Sequence, residues 1–222
     1  MEIAILFCKI VKLSYIGNTM DVDKIQQLNI TVLFKEPLNH SAILPQNVFE
    51  VLGVGEQPLG ATITQGPGIS ILVLPKQNKE FIFEAIRILI NDNNGDIDKS
   101  DLISDYAKIS KLPFFNKENV VAYGFNYGIV ASKTGGIDFP GFIAESLKKN
   151  IADNLESAAV KLNFKRENIS YDLQIIPAGI ANQAIVHLHV NYPAAEFSGG
   201  DDELKSKFIE KFKELKAMIE KI

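Results

Sequence analysis

Two histidines alternate in the stretch AIVHLHVNY. If it is a strand, His187, His189 and Asn191 share one face, while Ala184, Val186, Leu188, Val190 and Tyr192 occupy the other. A preceding strand over 169 to 176, joined through a loop at 177 to 182, would set Asp172 opposite His187 and Ser170 opposite His189. Two imidazoles and a carboxylate can hold a divalent metal with open positions, or move a proton near neutral pH. Metal sites usually converge three ligands, and HxH is also common on solvated strands, so these residues define a candidate only.

A second candidate is INDNNGDIDKSDL. The twelve-residue calcium loop needs oxygen ligands at positions 1, 3, 5, 9 and 12, with glycine at 6. Placing Gly95 at position 6 sets Asp92, Asn94, Asp98 and Asp101 at 3, 5, 9 and 12, but leaves Ile90 at position 1 without a side-chain oxygen. Shifting Asp92 to position 1 moves the glycine to 4 and puts Ile103 at 12. Neither register is complete, and the alternative is a polar connector with a helix capped near Asp98 or Ser100.

Other patterns are weaker. YGFNYGIV has aromatics at glycine spacing, as RNA-reading sheets do, but Tyr123 stands where a basic residue belongs. Its aromatics share a face with Val121 and Ile129, which favours a core, while Gly124 and Gly128 would admit a neighbouring backbone or a flat ligand. GVGEQP lacks the third glycine of a dinucleotide fingerprint, and no nucleophile elbow occurs.

These groups must be positioned by a scaffold, and the chain is apolar enough to supply one: 222 residues, 46% hydrophobic, 23% charged, mean hydropathy +0.07. Net charge is -4, and Arg87 and Arg166 are the only arginines, which disfavours nucleic acid as a partner. Cys8 is the only cysteine, so no disulfide forms within the chain. Glu2 and Lys9 break the apolar start as a leader, and no window matches a membrane span, so the expected location is cytoplasmic.

Alternation predicts strands at 3 to 14, 28 to 36, 120 to 132, 169 to 176 and 183 to 192, with a hairpin around Gly66-Pro67-Gly68. Residues 37 to 58 read as an irregular loop that could close over a pocket. From 79 to 90 the spacing of Glu80, Glu84, Arg87 and Asn91 predicts a helix that is apolar nearly all round. Further helices are expected near 100 to 110, from Pro140 to Leu162, and from Asp201 to Ile222.

The expected fold class is α+β, a mainly antiparallel sheet packed by about four helices. Its second half, β-α-β-β-α, resembles most of a ferredoxin-like unit in topology. Residues 1–222 read as a single domain, the stretch 111 to 118 being the place where it could divide; no internal repeat is visible. The leading functional expectation is a non-enzymatic binding or interaction protein, acting as a homo-oligomer or with a protein partner, with a small ligand also open. Self-association is suggested by the 79 to 90 helix and by the spacing of Phe208, Phe212, Leu215, Ile219 and Ile222. No cofactor is expected; the rival is a metal-assisted enzyme built on His187, His189 and Asp172.

Overall fold

The computed structural model describes residues 20–55, 58–133, 159–180, 182–196 and 200–220. The chain builds β1 (Asp21–Phe34), α1 (Pro45–Leu52), β2 (Thr62–Gly66), β3 (Ile69–Leu74), β4 (Lys79–Glu84), β5 (Arg87–Asp92) and α2 (Leu102–Ile109). It continues with β6 (Val120–Ser132), β7 (Val160–Arg166), β8 (Ile169–Pro177), β9 (Gln183–Pro193) and α3 (Gly200–Ile219). The nine described strands join one antiparallel sheet in the order β2-β3-β4-β5-β1-β6-β9-β8-β7.

The two long strands lie side by side at the centre, 14 residues in β1 and 13 in β6. On each side the chain leaves its long strand, reaches the outermost strand, and steps back inward by hairpins until it pairs with the strand it left. Each half then ends in a helix, α2 or α3. Strands β1, β5, β4 and β3 are thus related to β6, β9, β8 and β7 by a pseudo-twofold axis through the β1–β6 pair, β2 and α1 having no described counterpart, a repeat of topology that the sequence does not display. Residues 111 to 118 lie at the junction between them.

Alternation separates the sheet's faces. Leu28, Ile30, Val32 and Phe34 of β1, Phe81 and Phe83 of β4, Phe125, Tyr127 and Ile129 of β6, and Val186, Leu188 and Val190 of β9 are buried on one face. All three helices pack there. α3 sets Phe208 against Tyr127, ring centroids 5.0 Å apart, and the Tyr127 hydroxyl donates to the Phe208 carbonyl at 2.6 Å. Near α2, Phe115 sits edge-on to Phe34 and Tyr106. Val48, Phe49 and Leu52 bury the inner side of α1.

The expected sheet packed by about four helices is corrected on several counts. Residues 79 to 90 are the β4–β5 hairpin, and the described chain has three α-helices. The helical reading fails because these strands carry apolar residues on both faces: Phe81, Phe83, Ile88 and Ile90 on one, Ile82 and Leu89 on the other. The turn, Ala85-Ile86, has neither glycine nor a positive φ to announce it. Glu84 and Arg87, counted in a helical polar stripe, instead bond to each other across that turn. Isoleucine-rich pairing, which fits a pleated surface, won over spacing.

In the second half, Val160–Arg166 is a strand that includes Leu162, and the rest of the helix expected from Pro140 lies outside the described residues. The added strand leaves both β8 and β9 between β6 and β7, whereas a ferredoxin-like split unit leaves one. The strand expected at 3 to 14 also lies outside the described residues. The Gly-Pro-Gly hairpin is present, with Gly68 at φ +72 as such a turn requires.

Candidate functional site

The second face of the sheet carries no described helix, and a polar row crosses it. One residue per strand stands in register: Glu80 on β4, Asn91 on β5, Asn29 on β1, Asn126 on β6, His189 on β9 and Asp172 on β8. About the pseudo-twofold axis, Asn29 corresponds to Asn126, Asn91 to His189 and Glu80 to Asp172, so a carboxylate stands third from the axis on each side, with exposed Asn163 of β7 beyond Asp172.

The side chains of the row are bonded in series. Asn91 Nδ2 donates to Glu80 Oε2 at 2.8 Å, and Asn29 Nδ2 donates to Asn91 Oδ1 at 2.6 Å. Asn126 Nδ2 in turn donates to Asn29 Oδ1, and His189 Nδ1 meets Asn126 Oδ1. Thr31 braces the centre, its hydroxyl donating to Asn29 Oδ1 at 2.9 Å and accepting from Asn126 Nδ2 at 3.3 Å. Asn29 and Asn91 are only 4% and 5% exposed, so their amides depend on these bonds for satisfaction.

Two glycines make room for the imidazoles. A Cβ on Gly124 would come within 2.9 Å of His189 Cε1, 3.2 Å of Asn191 Oδ1 and 3.4 Å of Thr31 Cβ. A Cβ on Gly128 would meet His187 Cε1 and Nδ1 at 3.4 Å. The histidine rings occupy the space that the sequence left for a backbone or a flat ligand.

Beyond His189, Asp172 is held by Lys161 Nζ at 2.8 Å and accepts from Gln174 Nε2 at 3.2 Å. Burial pushes the Asp172 carboxyl up, but the Lys161 and Gln174 bonds outweigh it and hold the group below the usual carboxylate range. Burial holds the His189 imidazole below its ordinary pKa, against the pull of Asp172 and Asn191 toward the cation. The row forms the floor of a trough of about 580 Å³ that spans β5, β1, β6, β9 and β8. Leu33 and Leu89 lie toward one end, Gln174 and His187 toward the other. Arg87 in its wall is already bonded to Glu84.

His187, His189 and Asp172 do share the face expected of them, but Asp172 lies opposite His189, with Gln174 opposite His187 and Ser170 opposite Asn191. The strands resume pairing at Pro177 with Ala184, one pair beyond the expected register, and a shift of two residues keeps every side chain on its face. Among the described residues no three His, Cys, Asp or Glu side chains are grouped to hold a metal ion. Residues 37 to 58, expected as a loop over the pocket, include α1, which packs on the opposite face.

The second candidate folds onto itself. Asp92, 1% exposed, accepts from the Asn94 amide N–H at 2.9 Å, from Asn94 Nδ2 at 2.7 Å and from Ser100 Oγ at 2.6 Å. Asp98 is exposed, and Asp101 stands 3.6 Å from Lys79 Nζ. Asp92, Asn94, Asp98 and Asp101 therefore do not point to one centre.

By spacing, Glu80 and Asn91 read only as part of a helical polar stripe and Asn126 not as a site residue, since the row joins residues up to 160 positions apart. Their signal is polar side chains at alternate positions within otherwise apolar strands, visible in Asn29 and Thr31 opposite Leu28 and Ile30. No protein-family model matches the chain, and no curated protein matches it either. None of the described helices is long and apolar enough to cross a membrane.

Proposed function

We propose that the chain is a binding protein whose trough receives a small, uncharged, polar ligand. The observation that carries this reading is the buried row of amides and imidazole, held in one geometry across the floor of a trough of ligand-sized volume, about 580 Å³. Pre-bonded polar groups on rigid strands lose little freedom when a ligand arrives, which favours affinity and orientation. The charges that line the trough are paired, Arg87 with Glu84 and Asp172 with Lys161, and Glu80, bonded to Asn91, lies outside the lining, which favours an uncharged ligand. The aromatic faces of Phe125 and Tyr127 are spent in the core, which removes them as a stacking platform for bases.

A metal-assisted reaction at His187, His189 and Asp172 has less behind it, because His189 Nδ1 and both Asp172 oxygens are engaged by other side chains. Self-association loses both of its arguments. The segment 79 to 90 is inside the sheet, and Phe208, Phe212, Leu215 and Ile219 are buried within the chain.

The test is a fragment screen by NMR on the ¹⁵N-labelled chain, using neutral polyols, amides and nucleosides beside carboxylates and amines of similar size. Neutral fragments should perturb the side chains of Asn29, Asn126, His187 and His189 first. Perturbations gathered on the helical face, or a preference for charged fragments, would refute the reading.

A further inference from the structure

We propose that Glu80 fixes the hydrogen-bonding polarity that His189 presents in the trough, making Nε2 an acceptor for a ligand's N–H or O–H. The inference rests on the reading of the trough as a ligand site, but its mechanism lies wholly within the chain's own side chains.

An ionised carboxylate can only accept hydrogen bonds, whereas a primary amide has one accepting oxygen and one donating nitrogen. Glu80 therefore obliges Asn91 to turn its Nδ2 outward and its Oδ1 inward. Asn29 must then give its Nδ2 to Asn91, which leaves its Oδ1 facing Asn126. Asn126 must give Nδ2 and offer Oδ1, so the atom of His189 that meets it has to be a protonated Nδ1. A neutral imidazole carries one proton, and Nε2 keeps its lone pair. The Thr31 hydroxyl bonds with the same sense, donating to Asn29 and accepting from Asn126. The constraint is transmitted over four strand spacings, about 19 Å.

Neighbours outside the row do not set this polarity. Asp172 faces His189 from β8, but its oxygens are taken by Lys161 and Gln174. Asn191, beside the ring over Gly124, also bonds to His189, and its amide can turn to suit either tautomer. Glu84, on the same strand and face as Glu80, bonds to Arg87 and has no link to the row.

The tautomer can be read directly from long-range ¹H–¹⁵N correlations of the histidine rings in the full chain at pH 8, with no ligand present. Wild-type His189 should show a protonated Nδ1 and a pyridine-like Nε2. Glu80→Lys replaces an acceptor-only terminus by a donor-only one, so every amide should reverse and the proton should move to Nε2. Glu80→Gln, which can give or accept, should populate both tautomers, and Glu84→Gln should leave the wild-type pattern. A wild-type ring protonated at Nε2 would overturn the proposal. So would an unchanged His189 in a folded Glu80→Lys chain or in Glu80→Gln, or an equal change in Glu84→Gln. Because no ligand enters, a failed fragment screen and a failed tautomer switch are separate results.

Discussion

Gly124→Ala should destabilise the fold while Gly128→Ala should not, although the two glycines lie four residues apart on the same face of β6. Replacing a strand glycine by alanine is intrinsically favourable by roughly 0.5–1 kcal/mol, because less backbone freedom is lost on folding. At Gly128 that gain stands nearly alone, since the added methyl meets His187 at 3.4 Å, an ordinary contact with an exposed side chain. At Gly124 the methyl would lie 2.9 Å from His189 Cε1, so the ring must move. Moving it breaks the bond to Asn126, and an unsatisfied polar group in a buried network costs about 1–3 kcal/mol. The net expectation is a loss of about 1–2 kcal/mol for Gly124→Ala, and a change between zero and a gain of about 1 kcal/mol for Gly128→Ala.

Urea unfolding followed by circular dichroism would measure both. The attribution to His189 is checked by repeating Gly124→Ala in a His189→Ala background, where only Asn191 Oδ1, at 3.2 Å, stays closer than ordinary contact and the alanine should recover most of its intrinsic benefit. A penalty of the same size in both backgrounds would refute the seating of the imidazole over Gly124, as would equal costs for the two glycine variants.

The remaining predictions concern titrating groups. Burial depresses the His189 pKa below the ordinary 6.5, with Asp172 opposing, so the native chain binds this proton less readily than the unfolded one. The associated stability is complete above that ordinary value and drains as pH falls through the native one, by about 1.4 kcal/mol for each unit of depression. Urea unfolding from pH 7.5 down to 5 should therefore show a steeper fall for wild type than for His189→Gln; parallel profiles would contradict it. On the helical face, Lys79 bonds the Asp105 carboxylate, 4% exposed, at 2.5 Å. Burial raises the Asp105 pKa, with Lys79 opposing. Lys79→Met should cost up to about 3–5 kcal/mol at neutral pH by leaving that charge only Lys108, 3.7 Å away, and the cost should shrink as acid protonates the carboxyl. A penalty independent of pH would show that the charge is not its origin.

Much of this site could be read from sequence, and what could not has a common cause. The faces of β6, β8 and β9 followed from alternation, because a period of two survives any register. Partner identity did not, since it depends on where the Ala178–Gln183 turn closes, through its backbone bonds of 3.1 and 3.0 Å. The β4–β5 hairpin was hidden for the opposite reason: Ile82 and Leu89 pair with each other on the polar face and erase the alternation. α1 escaped notice within a stretch of prolines and glycines, although Pro45 opens it and Gly53, at φ +73, closes it.

The position of the site follows from the doubled topology rather than from any local motif. The pseudo-twofold axis passes beside Asn29 and Asn126, the one pair in the row whose equivalent positions carry the same residue. Strand by strand outward, the halves keep a carboxylate third from the axis but diverge around it. Leu89 and Ile82 on one side correspond to His187 and Gln174 on the other. The trough therefore has Leu33 and Leu89 beside Arg87 and Asn91 at its β5 end and only hydrogen-bonding side chains, His187, Gln174 and Asp172, at its β8 end, although its floor is a single bonded row. The asymmetry gives a bound molecule one preferred direction. His189 stands on the half where Asn91's equivalent has become a titratable ring, and there alone the bonded series of side chains closes on a group able to exchange donor for acceptor.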